Sequence, residues 1–158
     1  MNGLQLSHFL SMDKFASPIF KGLAMRDSCS LPREKDDPAL YILNTDSKSG
    51  NGEHWCAIFY HKGTAEFFDP LGFAPEVYNF GPLITSREVR SGWYNSTQVQ
   101  HMFSNVCGHH CLFFSYHRSR GMGMSDILKM YDENDTKGND NMVVEFVVQY
   151  GSSYYPSK

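Results

Sequence analysis

The sequence predicts a domain of mixed α and β structure, on three observations. Aromatic and apolar runs separated by turn residues occupy residues 40–69, whereas helix signals dominate from about residue 104 onward. The 158 residues contain no repeat and no linker, so one compact domain, 1–158, is expected. Hydrophobic residues make up 41% of the chain and aromatics 15%, enough for a core that needs neither disulfides nor metal to fold.

In chain order, Leu4, Leu6, Phe9 and Leu10 stand at loose helical spacing and predict a short helix over 3–12. Residues 26–38 are charged, carry two prolines and read as loop. Leu40 to Leu43 is a short apolar run, read as a strand. Residues 44–53, NTDSKSGNGE, are small and polar and read as an exposed loop. The stretch from His54 to Tyr60 is aromatic and apolar almost throughout, as in a strand covered on both faces. Turn residues 61–64 lead into a second strand over 65–69, so the two form a hairpin that Pro70, Gly72 and Pro75 end. Residues 76–100 carry no clear pattern, although Trp93 and Tyr94 are candidates for packing. Ser104 or Asn105 is expected to cap a helix running to about residue 118, and Gly121 and Gly123 break it. Ser125 is expected to cap a second helix, DILKMYDE, and residues 132–141 read as loop. The β-branched residues of 142–150 favour strand, whereas their apolar spacing, a cap at Asn141 and a stop at Gly151 favour helix, which is the reading taken.

Charge and cysteine content narrow the function. With 14 basic and 17 acidic side chains the net charge is -3, which gives no overall field for nucleic acid or an anionic membrane. No apolar run approaches a membrane span. The N-terminus lacks a basic region followed by a long apolar stretch, so an intracellular protein that is not secreted is expected. Four cysteines, Cys29, Cys56, Cys107 and Cys111, are too few for a disulfide framework and fit free thiols in a reducing compartment.

The chemistry-bearing residues gather at two places. With Lys62 and Gly63 at the turn centre, Tyr60 faces Ala65, Ile58 faces Phe67 and Cys56 faces Asp69. Alternation then sets His54, Cys56 and Asp69 on one face, with Asp69 diagonal to His54. A carboxylate there fixes the imidazole tautomer and favours its charged form. Alone, such a pair is more often a packed histidine and a turn residue. Cys107 lies just inside the predicted helix N-terminus, where free N–H groups and the helix dipole stabilise a thiolate. Read by itself it is equally a small buried hydrophobe. Gly108 follows and leaves room for a substrate backbone. Gln100, seven residues before Cys107, offers uncharged donors that pair with the Cys107 N–H around an oxyanion. A competing set, His101, Cys107, His109, His110, Cys111 and His117, falls within 17 residues and offers zinc ligands, but no second ligand pair is evident elsewhere. Cys111 reads as core, and His109 and His110 as a partly solvated face. Tyr154, Tyr155 and Phe146 read as packing or a surface patch.

Together these features resemble the adenovirus protease family, adenain-like cysteine endopeptidases related to the SUMO-deconjugating proteases. Asn44-Thr45 followed by a polar loop and His54-Trp55 resembles the histidine segment. Phe68-Asp69-Pro70-Leu71-Gly72-Phe73 resembles the acidic segment. Gln100, six intervening residues, Cys107-Gly108 and then Cys111 resemble the oxyanion and nucleophile segment. The likeness is good over residues 40–117 and weaker at Phe20-Lys21-Gly22 and from Val143 to Tyr155.

The resemblance implies an α+β fold, a mainly antiparallel sheet with packed helices, in a papain-like or adenain-like cysteine protease architecture with the nucleophile at the start of a central helix. It implies Cys107 as nucleophile, His54 as base, Asp69 as its orienting acid and Gln100 at the oxyanion, without cofactor or metal. The implied substrates are polypeptides cleaved after glycine-rich sites, with Trp55 among the aromatic walls of a narrow cleft. The implied role is maturation of virion precursor proteins of a DNA virus or virus-derived element, in the virion or the host nucleus or cytoplasm. The acidic position carries aspartate, where adenovirus enzymes often have glutamate. The acidic net charge leaves DNA binding open. No cysteine lies between Asp69 and Cys107, so an activating peptide, if used, is not disulfide-linked there. Two alternatives stand beside this reading: a ubiquitin- or SUMO-type deconjugating protease, and a non-enzymatic interaction domain stabilised by zinc.

Overall fold

The hairpin turn organises the sheet. Lys62 and Gly63 both adopt positive φ, 48° and 76°, the pairing that a two-residue turn needs to match strand twist. It joins β3 (Trp55–His61) to β4 (Thr64–Phe68) in the expected register, with Tyr60 opposite Ala65 and Ile58 opposite Phe67. The computed structural model describes residues 1–27, 36–46, 54–85 and 89–152. The loop readings at 28–35 and 47–53, Cys29, and Tyr154 and Tyr155 lie outside the described residues.

Around the hairpin stand β1 (Phe20–Met25), β2 (Ala39–Asn44) and β5 (Ser91–Tyr94), in spatial order β1-β2-β3-β4-β5. Pairings β2–β3 and β3–β4 are antiparallel; β1–β2 and β4–β5 are parallel. The fold is α+β, but the sheet is mixed rather than mainly antiparallel. The parallel members are the outer strands, whose half-covered or exposed runs, FKGLAM and SGWY, lack the continuous apolar pattern of a buried strand. Trp93 and Tyr94 belong to β5 and are exposed, not packed.

Strand β3 is buried between two cores, as its composition requires. Ala57 and Phe59 join Leu40, Ile42 and Phe68 beneath the helices; Cys56, Ile58 and Tyr60 join Leu43, Phe67, Phe80 and Leu83 on the other face. The helical face carries α1 (Gly3–Met12), α3 (Cys107–Ser119), α4 (Met124–Leu128) and α5 (Thr136–Gly151). Opposite them lie a 3₁₀ turn, Pro75–Tyr78, and α2 (Gly81–Thr85), which fill the unpatterned crossover. No described helix is long and apolar enough to cross a membrane.

Helix boundaries differ from expectation where tertiary contacts override local signals. Helix α3 begins at Cys107, and its N-cap, Val106, supplies no side-chain hydrogen bond; Ser104 is engaged elsewhere. Helix α4 is one short segment capped by Gly123 rather than Ser125. Helix α5 starts at Thr136, where the Asp135 carboxylate accepts the Gly138 N–H at 2.8 Å, so half of the expected 132–141 loop is helix.

Two contacts seat α3 on the sheet. Phe114 stacks on Phe68 with centroids 4.8 Å apart and planes 2° from parallel, both rings fully buried. One turn further along, Arg118 bonds Glu66 of β4 at 2.6 Å and covers the Phe59 ring at 4.1 Å. Phe68 immediately precedes Asp69, so this stacking also sets the height of Cys107 above the acidic turn. Phe114→Ala is expected to lower stability by about 3–5 kcal/mol in denaturant unfolding, the usual cost of deleting a buried phenyl ring. A cost below about 1 kcal/mol is incompatible with the ring seating α3.

Candidate active site

His54 directly precedes β3 and Asp69 directly follows β4, so an antiparallel pair brings both to one end of the sheet. There His54 Nε2 donates to Asp69 Oδ1 at 2.6 Å, with Asp69 wholly buried and the His54 side chain 11% exposed. The His54, Cys56 and Asp69 ligand atoms all lie within 4.8 Å of one another, as expected for one shared face.

Asp69 is held by the turn that it begins. The Gly72 N–H bonds the Asp69 carbonyl at 2.9 Å. Oδ1 also accepts the Leu71 N–H at 2.9 Å, and Oδ2 accepts the Phe73 N–H at 3.1 Å and the Tyr78 hydroxyl at 2.8 Å. Gly72 must be glycine: its φ is 76°, and a Cβ would stand 2.8 Å from the Gln98 backbone nitrogen. The motif from Phe68 to Phe73 is thus a turn wrapped around one carboxylate. Asn95 completes it, accepting the Asp69 N–H at 2.8 Å and donating to the Asp69 carbonyl.

Cys107 begins α3 at the same end of the sheet. The groups that act on its thiol are the His54 imidazole and the backbone of Trp55 and Gly108. With Nε2 committed to Asp69, Nδ1 is the ring nitrogen left for the thiol. Burial alone raises a thiol pKa; the His54 hydrogen bond and charge and the two backbone donors outweigh it and hold Cys107 below its ordinary value. Burial likewise lowers a histidine, yet Asp69 and Cys107 together raise His54 to about 9. Cys56 and Cys111 have no such partner for a negative charge, and burial pushes both thiols well up. The missing N-cap side chain fits this arrangement, because it leaves the first N–H groups of α3 for an anion.

The other expected residues fall in varied positions. Gln100 is buried on the segment before α3, its Nε2 donating to the Ser104 carbonyl at 3.0 Å and hydroxyl at 3.1 Å, while Oε1 is buried without a partner among the described residues. Trp55 is half-buried, with its indole edge against Gly3 at the start of α1. Gly108 does not open onto a cleft through its missing side chain: a Cβ there would meet Leu6 and Met1 at 3.4 Å, so the glycine lets α1 pack closely.

The histidines and cysteines of α3 diverge. Cys111 donates to the Trp55 carbonyl, His117 packs among Phe113, Tyr116 and Phe146, and His110 is wholly buried against Asp140, not on a solvated face. Among the described residues, only His54, Cys56 and Asp69 bring three metal-type ligand atoms this close. Their chemistry suits a hydrogen-bond relay better than a metal: the carboxylate already accepts four donors, and the Cys56 thiol is held protonated by burial. Tyr78 and Asn95 were not legible as site residues. The only signal was their place in the crossover that begins at Asp69.

No family model matches the sequence. A protease of bovine adenovirus C serotype 10 is similar to it, 27% identical over 124 residues that span 70% of this chain and 62% of that protein. The chain therefore matches less than two thirds of that relative's length.

Two measurements test this geometry. Because the Cys107 pKa is lowered, its thiolate persists below the pH at which an ordinary thiol is protonated. Iodoacetamide near pH 6 should therefore label Cys107 rapidly and leave Cys56 and Cys111 untouched. His54→Ala removes the lowering partner and leaves burial, so this labelling should collapse; equal, slow labelling of all three in wild type would refute the pair. Asn95→Ala strands the buried N–H of Asp69 and leaves its carbonyl to Gly72 alone. It should cost about 1–3 kcal/mol of stability and slow Cys107 labelling at pH 6, and unchanged labelling would exclude Asn95 from the relay.

Proposed function

We propose that this protein is a cysteine endopeptidase in which Cys107 is the nucleophile, His54 its base and acid, and Asp69 the residue that orients His54. The observation that carries the reading is the 2.6 Å Asp69–His54 hydrogen bond set beside Cys107 at an uncapped helix start, where His54 stabilises the thiolate. The similarity to an adenovirus protease supports it from sequence.

In this mechanism the Cys107 thiolate attacks a peptide carbonyl, forming a C–S bond and an oxyanion. The Cys107 N–H and the Gln100 amide receive that oxyanion, for which Gln100 Nε2 gives up one of its two Ser104 acceptors. The imidazolium of His54 protonates the departing amine as the C–N bond breaks. His54 then takes a proton from water, which attacks the thioester; the C–S bond breaks and the acid product leaves. A glycine-rich cleavage site fits a nucleophile that is nine-tenths buried, since a side chain would obstruct its approach. The substrates proposed are precursor proteins of a DNA virus or virus-derived element, cut during particle assembly, with Trp55 lining the approach. An activating peptide, if there is one, binds without a disulfide in this scheme.

Purified protein offered a peptide library is expected to cleave after glycine, and Cys107→Ser to abolish cleavage. Gln100→Ala should lower kcat by about 10²–10³. Absence of cleavage from both peptides and folded conjugates, with Cys107 still selectively labelled, would remove the endopeptidase reading. Much faster cleavage of ubiquitin- or SUMO-type conjugates than of peptides would replace it with deconjugation.

A further inference from the structure

A second buried histidine–aspartate pair lies one turn along α3 from Cys107. His110 Nε2 donates to Asp140 Oδ1 of α5 at 2.8 Å, and the Tyr131 hydroxyl stands 3.2 Å from Nδ1. His110 is fully buried and Asp140 nearly so. Burial lowers His110 to about 4 despite the carboxylate, so the ring is neutral, with its proton on Nε2 and Nδ1 accepting from Tyr131.

The same carboxylate reaches a third element. Asp140 Oδ1 accepts the His101 N–H at 3.3 Å, and the adjacent Asn139 donates to the Val99 carbonyl at 3.0 Å. These two contacts flank Gln100. From the opposite side, the Val99 and Gln100 N–H groups both donate to the Pro70 carbonyl, at 2.9 and 3.0 Å, directly after Asp69. The Gln98 side chain bonds the Gln100 carbonyl at 2.8 Å, and Ser104 bonds the His101 carbonyl. All six backbone polar groups of residues 99–101 are thereby satisfied in a segment that is neither helix nor strand. Val99 and Gln100 are buried, so their backbone groups must be paired within the protein; because the partners come from the Asp69 turn on one side and from α5 on the other, the pairing also fixes where the segment stands.

We propose that Asn139, Asp140 and His110 form a positioning unit that fixes Gln100 relative to Cys107. The inference rests on the endopeptidase reading and assigns three further residues to its oxyanion site. Asn139 and Asp140 hold the two sides of Gln100, and His110 ties them to the helix that carries the nucleophile. None of the three touches the reacting atoms.

The test is a double-mutant cycle between Asp140→Ala and Gln100→Ala, read as kcat and KM on a cleaved peptide and as iodoacetamide labelling of Cys107. Asp140→Ala is expected to lower kcat on the order of 10²-fold, the scale of a 1 Å misplacement, with little change in KM or labelling. Gln100→Ala should then cost far less in the Asp140→Ala background than in wild type. Asp140→Asn should restore most of the loss, because a neutral His110 needs only an oxygen acceptor. Full additivity, unchanged kcat in Asp140→Ala, or a fall in labelling that matches the fall in kcat would each overturn the proposal. Should Asp140→Ala not fold, Asn139→Ser leaves the Asp140 contacts in place, opens the Val99 side together with the Asn139 bonds to Asp132, and carries the same cycle. Wild-type protein that neither cleaves nor labels selectively at Cys107 defeats the endopeptidase reading itself; wild-type turnover with an additive cycle defeats only this inference.

Discussion

The site depends on one short hydrogen bond, His54 Nε2 to Asp69 Oδ1 at 2.6 Å, made where burial opposes every charge. Desolvation is the largest influence on His54 and Cys107 alike, and in both it favours the neutral form. A carboxylate already satisfied by two backbone N–H groups and a tyrosine hydroxyl has its own charge secured locally. It can therefore support an imidazolium, and the imidazolium in turn supports a thiolate. The order of dependence runs from turn to acid to histidine to cysteine. Tyr78, kept protonated by burial and by the neighbouring carboxylate, remains a donor throughout.

The scaffold repeats this economy of anchoring. Pro70 continues the Asp69 turn, and its carbonyl takes the Val99 and Gln100 N–H groups, so the acidic turn also seats the segment that carries Gln100. Phe68, on the other side of Asp69, stacks on Phe114 and seats α3. Residues 68 to 72 thus contact every element that carries a candidate site residue. That one turn therefore ties together the histidine partner, the glutamine segment and the helix that begins at Cys107.

How much of this was legible followed from the range of the interactions. The β3–β4 hairpin could be read because its turn chemistry and apolar runs are local. Its parity alone placed His54 and Asp69 together. The outer strands could not be read: β1 and β5 owe their strand state to parallel partners 19 or more residues away, not to their own side chains. Helix α5 was misjudged at its start because Asn139 and Asp140, poor helix formers, are held there by bonds to Val99 and His101, some 40 residues distant. Tyr78 and Asn95 share this character: Tyr78 matters through one hydrogen bond to Asp69 and Asn95 through two, and neither leaves a trace in spacing or composition.

The failed expectation at the start of α3 explains more than a success there would have. A serine or asparagine cap would have spent its oxygen on the N–H groups that an anion needs. Instead the helix starts at the cysteine itself behind Val106, and Ser104 turns back to Gln100. Stability forgone at a helix end is a cost of about 1 kcal/mol. It separates Cys107 from Cys111, one turn along the same helix and equally sulfur-bearing, whose thiol faces a carbonyl oxygen and stays protonated. Two cysteines four residues apart on one helix thus acquire opposite chemistry from their first neighbours: N–H groups and an imidazole for one, a backbone acceptor and closed core for the other.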